Sequence, residues 1–123
     1  MRSTKLNELQ EDGLVQRFEA LALEQDDAEL SDDIAQVNRL FDRLEEVEAE
    51  LKRRSGDRRS VLLRLYSHQN VHVRLKAAKA TLAVAPEAAR QMLKTIAESR
   101  EYPQAGEAGM TIRALERGIF KPT

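Results

Sequence analysis

The chain has 123 residues, a formal net charge of -1 and no cysteine, which allows one domain with a packed core and excludes a disulfide scaffold or thiolate-bound zinc. No apolar run approaches the ~18 residues of a membrane span, and the opening MRSTKLNELQ lacks the apolar core of a signal peptide, so a cytoplasmic location without membrane contact is expected. Charge is uneven: residues 1–54 hold 15 acids and 8 bases (-7), and residues 55–123 hold 6 acids and 12 bases (+6).

Residues 1–10 carry few capping signals and are expected to be partly flexible, with Leu6 and Leu9 able to pack down. Asp12 is a candidate N-cap for a first helix to about Glu24, in which Leu14, Phe18 and Leu21 share one stripe with Val15 and Ala22 beside it. Gln25 to Leu30 is acidic and reads as a connection. Ser31 then opens the longest predicted element, a helix over 31–54. Asp32 and Asp33 favour its start, Lys52, Arg53 and Arg54 favour its end, and Gly56 stops it. Val37, Leu40, Leu44, Val47 and Leu51 recur at 3 and 4, and Ile34 and Phe41 widen the stripe. Such a stripe serves either packing within the chain or a homodimer seam. The heptads are too few for a convincing coiled coil, so packing within the chain is the expectation.

Asp57 to Ser67 is predicted helical, with Val61, Leu62, Leu65 and Tyr66 inward and Arg58, Arg59 and Arg64 outward. Val73 to Ala85 follows, with Asn70 as its N-cap. At about 100° per residue, Val73, Ala77, Ala80 and Val84 share one face and Leu75, Ala78 and Leu82 the opposite one. A helix apolar on two faces lies between neighbours, and alanines allow close approach. Arg74 and Thr81 occupy one polar lane, Lys76 and Lys79 the other. Pro86 to Ser99 is a further helix, built on Ala89, Met92, Leu93, Ile96 and Ala97. Arg100 to Gly106 reads as a loop, and Glu107 to Arg117 as the last helix, with Ala108, Ile112 and Leu115 in line. Gly109 suits close helix approach, Gly118 suits the C-terminal cap, and Ile119 and Phe120 are expected to pin the tail to the core.

The run His68-Gln69-Asn70-Val71-His72-Val73-Arg74-Leu75-Lys76-Ala77-Ala78, with Leu82 following, resembles the turn and second helix of a HEAT repeat. In that resemblance Val73 is the buried residue and Arg74 the basic residue after it, while Asn70 stands where the pattern often has Asp. The whole chain is also similar to a small bacterial family of uncharacterised HEAT-like domains, through its Pro103-Gln104-Ala105-Gly106 loop and Phe120-Lys121-Pro122 tail. The resemblance implies a fold and no activity. The expected architecture is therefore all-α: a single domain over 1–123, with a short HEAT-like stack of about five helices. HEAT-like pairs would span 57–118, and the long acidic helix would cap the N-terminal end.

No chemistry-bearing constellation emerges. His68 and His72 are spaced by four, but the turn at Gln69-Asn70 interrupts any helix through them, no Glu follows His68 in a metalloprotease arrangement, and both are expected to be half exposed. Gly106 and Gly109 lack the Lys-Ser/Thr of a phosphate loop. No catalytic residue, metal or cofactor is predicted. The expected function is a non-catalytic protein-protein interaction module, with an accessory or immunity-type role compatible, acting as a monomer or as a homodimer through the long helix. Arg74, Lys76, Lys79, Arg58 and Arg59 are the candidate partner-binding residues. The alternative is nucleic-acid binding through the same basic face, against which stand the 4% aromatic content and the slightly negative net charge.

Overall fold

The computed structural model describes residues 5–123. Every regular element among them is helical: a 3-10 turn (Leu6–Glu8), α1 (Glu11–Leu30), α2 (Ile34–Arg53), a 3-10 helix (Arg58–Ser67), α3 (Val71–Ala80), α4 (Pro86–Glu98) and α5 (Gln104–Glu116). None of these helices is long and apolar enough to cross a membrane. The chain divides into two compact units, Met1–Val61 and Leu62–Thr123. The flexibility expected at residues 1–4 lies outside the described residues.

In the first unit α1 and α2 pack against each other. Their three-residue connection enforces a helical hairpin. Leu14, Phe18, Leu21 and Ala22 of α1 and Leu40, Leu44, Val47 and Leu51 of α2 are buried. The α2 stripe is thus buried inside the chain, in its packing on α1. It is narrower than expected, because Ile34 and Phe41 are 71% and 45% exposed.

The hairpin bend also corrects the sequence reading. Gln25 to Leu30 is helix and not a connection, so α1 is as long as α2. Asp26, Asp27 and Glu29 oppose the helix dipole there, but Ala28 and Gln25 are buried, and Gln25 Nε2 donates to the Val37 carbonyl at 3.1 Å. Packing outweighs the unfavourable charge placement. Ser31 closes α1 instead of opening α2, its hydroxyl donating to the Asp27 carbonyl at 3.0 Å. The N-cap of α2 is Asp33, whose carboxylate accepts from Gln36 N at 3.2 Å. Asp32, at φ 55°, makes the reversal between them. At the start of the unit, helix entry at Glu11 comes without a side-chain cap from Asp12. Arg54 instead ties the N-terminal turn down, its guanidinium donating to the Leu6 and Leu9 carbonyls at 3.2 and 2.5 Å.

In the second unit α3 packs on α4 and on α5, and α4 packs on α5. Their core is Leu75, Ala78, Leu82, Ala89, Leu93, Ile96, Ala108 and Leu115. Asn70 caps α3 as expected, its Oδ1 accepting from His72 N at 2.8 Å and Val73 N at 3.1 Å. Both apolar faces are buried, Val73, Ala77 and Ala80 on one and Leu75, Ala78 and Leu82 on the other. The helix ends at Ala80, short of the predicted Ala85. The Thr81 hydroxyl turns back onto the Ala77 carbonyl at 2.8 Å and meets the Tyr66 hydroxyl at 2.6 Å. Pro86, at the first position of α4, disfavours helical geometry at Ala85 before it.

Helix α5 starts at Gln104, so Gly106 is helical and the preceding loop is shorter than predicted. A Cβ on Gly109 would sit 3.7 Å from Arg113 Nη1, an ordinary contact, so this glycine serves no close helix approach. Gly118, at φ 69°, turns the chain out of α5 as expected. The tail is not pinned by Ile119, which is 75% exposed, and Phe120 is held at the surface, 39% exposed, rather than in the core; both amides return, donating to the Ala114 carbonyl.

Candidate functional site

In the Leu62–Thr123 unit a polar seam runs between α3 and α5. His72, Lys76 and Lys79 recur at i, i+4 and i+7 along α3, so they share one lane. Gln104, Glu107 and Thr111 recur at i, i+3 and i+7 along α5 and form the matching lane. Glu107 receives Lys79 Nζ at 2.9 Å and Lys76 Nζ at 3.9 Å. Burial pushes the Glu107 carboxyl up, but the Lys76 charge and the Lys79 hydrogen bond together outweigh it and hold the group below its ordinary range.

At the other end of the lane His72 is fully buried rather than half exposed. Its Nδ1 lies 3.2 Å from Gln104 Nε2, within hydrogen-bond distance. His68 Nδ1 accepts from Asn70 N at 3.0 Å. The two imidazoles that the sequence spaces like ligands are thus each engaged by a separate partner.

The five predicted partner-binding cations are all in contact with acids. On α3, Lys76 and Lys79 share Glu107, and Arg74 Nη2 stands 3.6 Å from Glu101 Oε2, with its Nε buried and lacking a hydrogen-bond partner. Their side chains are only 19% (Arg74), 11% (Lys76) and 32% (Lys79) exposed, which corrects the expectation of an open basic lane. Arg58 and Arg59 belong to the first unit. Arg58 Nε donates to Glu11 Oε1 at 2.5 Å. Arg59, expected outside, is buried, and reaches Asp57 through Nε at 2.9 Å and Nη2 at 2.7 Å. The Arg59 hydrogen bond holds the Asp57 carboxyl below its usual range against the opposing effect of burial.

Beside the seam, a cleft of ≈ 350 Å³ opens between α5 and the tail, lined by Lys79, Glu107, Met110, Thr111, Ala114 and Phe120. Met110 is 64% exposed. Arg113 and Arg117 follow Met110 at i+3 and i+7, and so continue its lane along the rim. The sequence reading missed this surface because it assigned Ile119 and Phe120 to the core. The signal available was Gly118: a chain that leaves a helix through a left-handed glycine only four residues before a proline has little length in which to fold back.

Comparison with known proteins follows the same architecture. The crystal structure of the protein RPA1889 from Rhodopseudomonas palustris CGA009 is 46% identical, covers 98% of this chain and 100% of that one, and superposes with a TM-score of 0.94. No curated protein matches the chain. The family model for a domain of unknown function, DUF2019, matches residues 12–116, and the chain belongs to that family.

Proposed function

We propose that this chain is a non-catalytic, HEAT-like protein-interaction module of the bacterial cytoplasm, and that its docking surface is the cleft between α5 and the tail. One observation carries the reading: Met110, Ile119 and Phe120 are large apolar residues left exposed together, next to a cleft that two of them line. Exposed apolar groups clustered at a concavity and rimmed by charge mark interaction sites more often than scattered ones do. The HEAT-like part of the reading is supported by three short helices in sequence, each packed on the next, with α3 buried on two faces. Against an enzyme stands the use of the ionisable groups: Glu107 neutralises two lysines and is held ionised, which suits structure better than proton transfer at neutral pH.

The test is affinity capture from a bacterial lysate with wild type, Met110→Ser/Phe120→Ser and Arg74→Ser/Lys76→Ser/Lys79→Ser variants. A protein captured by wild type, lost with the first variant and retained by the second is the expected result. Equal capture by wild type and the Met110/Phe120 variant overturns the assignment of the surface. Capture that nuclease abolishes overturns it in favour of nucleic acid.

A further inference from the structure

We infer that this chain associates head to tail with copies of itself, the α1–α2 bend of one copy entering the α5–tail cleft of the next; this rests on the reading of that cleft as a docking surface. The bend supplies the insert. Leu30 ends α1 and Ile34 begins α2, and they are 77% and 71% exposed, among the most exposed large apolar residues of the chain. Asp27, Asp32 and Asp33 surround them in sequence, are exposed, and have no cationic partner among the described residues. No lysine or arginine occurs from residue 18 to residue 38.

The cleft supplies the complement. Its apolar lining is Met110, Ala114 and Phe120. Arg113 and Lys121 adjoin these residues in sequence, Arg117 lies three residues from both Ala114 and Phe120, and all three are exposed and have no acidic partner among the described residues. Glu116 is the single acid between residues 113 and 123. Each surface therefore pairs exposed apolar side chains with uncompensated charge, and the two charges are opposite.

This complementarity selects the symmetry. Bend against bend would set aspartates on aspartates, and tail against tail would set arginines on arginines, both penalised. Bend against tail pairs opposite charges while burying apolar groups. Such a contact is heterologous: every open assembly retains one free bend at one end and one free cleft at the other, so association continues into chains or closes into a ring. A contact confined to a bend and a small cleft belongs with small, weak interfaces, for which a dissociation constant on the order of 100 µM is expected.

The experiment is sedimentation velocity on the purified full chain from ~10 µM to ~1 mM, with Ile34→Asp and Phe120→Asp variants and Met110→Asp as a second cleft variant, each first shown by circular dichroism to retain its helices. Wild type should rise in mass with concentration beyond the dimer, and weaken at least ~10-fold between about 0.1 and 1 M salt. Each variant alone should remain monomeric. An equimolar mixture of Ile34→Asp and Phe120→Asp holds one intact bend and one intact cleft, and should associate but stop at the dimer. A wild type that is monomeric throughout, a variant that associates like wild type, or a mixture that stays monomeric overturns the inference. Monomeric wild type combined with Phe120-dependent capture from lysate would leave the cleft as a docking surface and remove only the self-contact.

Discussion

Replacing Glu107 by glutamine should destabilise the Leu62–Thr123 unit at neutral pH and remove part of its acid sensitivity. Glu107 stands 2.9 Å from Lys79 Nζ and 3.9 Å from Lys76 Nζ, with side-chain exposures of 37%, 32% and 11% respectively. Exposed pairs are worth ~0.2–1 kcal/mol and breaking a buried pair costs ~3–5 kcal/mol. With over a third of Glu107 open to water, solvent screening brings the expected loss to about 1–2 kcal/mol. The carboxyl lies below its ordinary value of 4.5 in the folded state. Its contribution is therefore complete above that value and disappears as pH falls through the lowered folded value. Wild type and Glu107→Gln should differ at pH 7 and converge in acid. The chain has two tyrosines and no tryptophan. Both tyrosines, Tyr66 and Tyr102, lie in the second unit, so tyrosine fluorescence in urea follows that unit specifically. A variant within ~0.3 kcal/mol of wild type at pH 7, or a gap that stays constant from neutral pH into acid, would refute the ion-pair account.

Three further perturbations test the packing. Leu93→Ala, at a fully buried position in the core of the second unit, should cost about 3 kcal/mol in urea unfolding, and a loss below ~1 kcal/mol would contradict the assigned core. Asn70→Ala removes the acceptor for the His72 and Val73 amides and should cost about 1 kcal/mol, with Asn70→Asp restoring most of it. Ala80→Arg drives a charge into the second apolar face of α3, where Ala80 is 4% exposed, and should cost on the order of several kcal/mol by thermal melting; an unchanged melting temperature would mean that this face is open.

Local signals were legible wherever one residue type forces one geometry. Asn70 caps α3, Pro86 opens α4, and Gly118 ends α5 at a positive φ. The two-faced burial of α3 followed from apolar residues on opposite sides of its wheel. Boundaries set by tertiary contact were not legible. Ser31 and Asp33 are both good caps in isolation, and what decided between them was the burial of Gln25 and Ala28, which carries α1 on through the acidic run. Ile119 and Phe120 read as core because they are apolar; whether the tail has enough chain to return depends on where α5 stops.

The candidate cations show the same limit in electrostatic form. A helical wheel places Lys76 and Lys79 in one lane but says nothing of what faces that lane, and Glu107 lies 28 residues from Lys79. The second unit holds ten bases against five acids (Glu87, Glu98, Glu101, Glu107 and Glu116). Arg74, Lys76 and Lys79 draw on two of those acids, Glu101 and Glu107. Arg64 apart, six bases then remain for three acids, and all six lie from Arg90 onward: Arg90, Lys94, Arg100, Arg113, Arg117 and Lys121. The positive surplus that the sequence reading placed on α3 is displaced by ion pairing to α4, α5 and the tail. Half of those six lie at or beyond Arg113, where the unit also leaves its apolar residues exposed. Under the docking proposal above, a partner that recognises this unit by charge would find cations without an acidic partner at the α5 cleft, in Arg113, Arg117 and Lys121, and paired ones along α3.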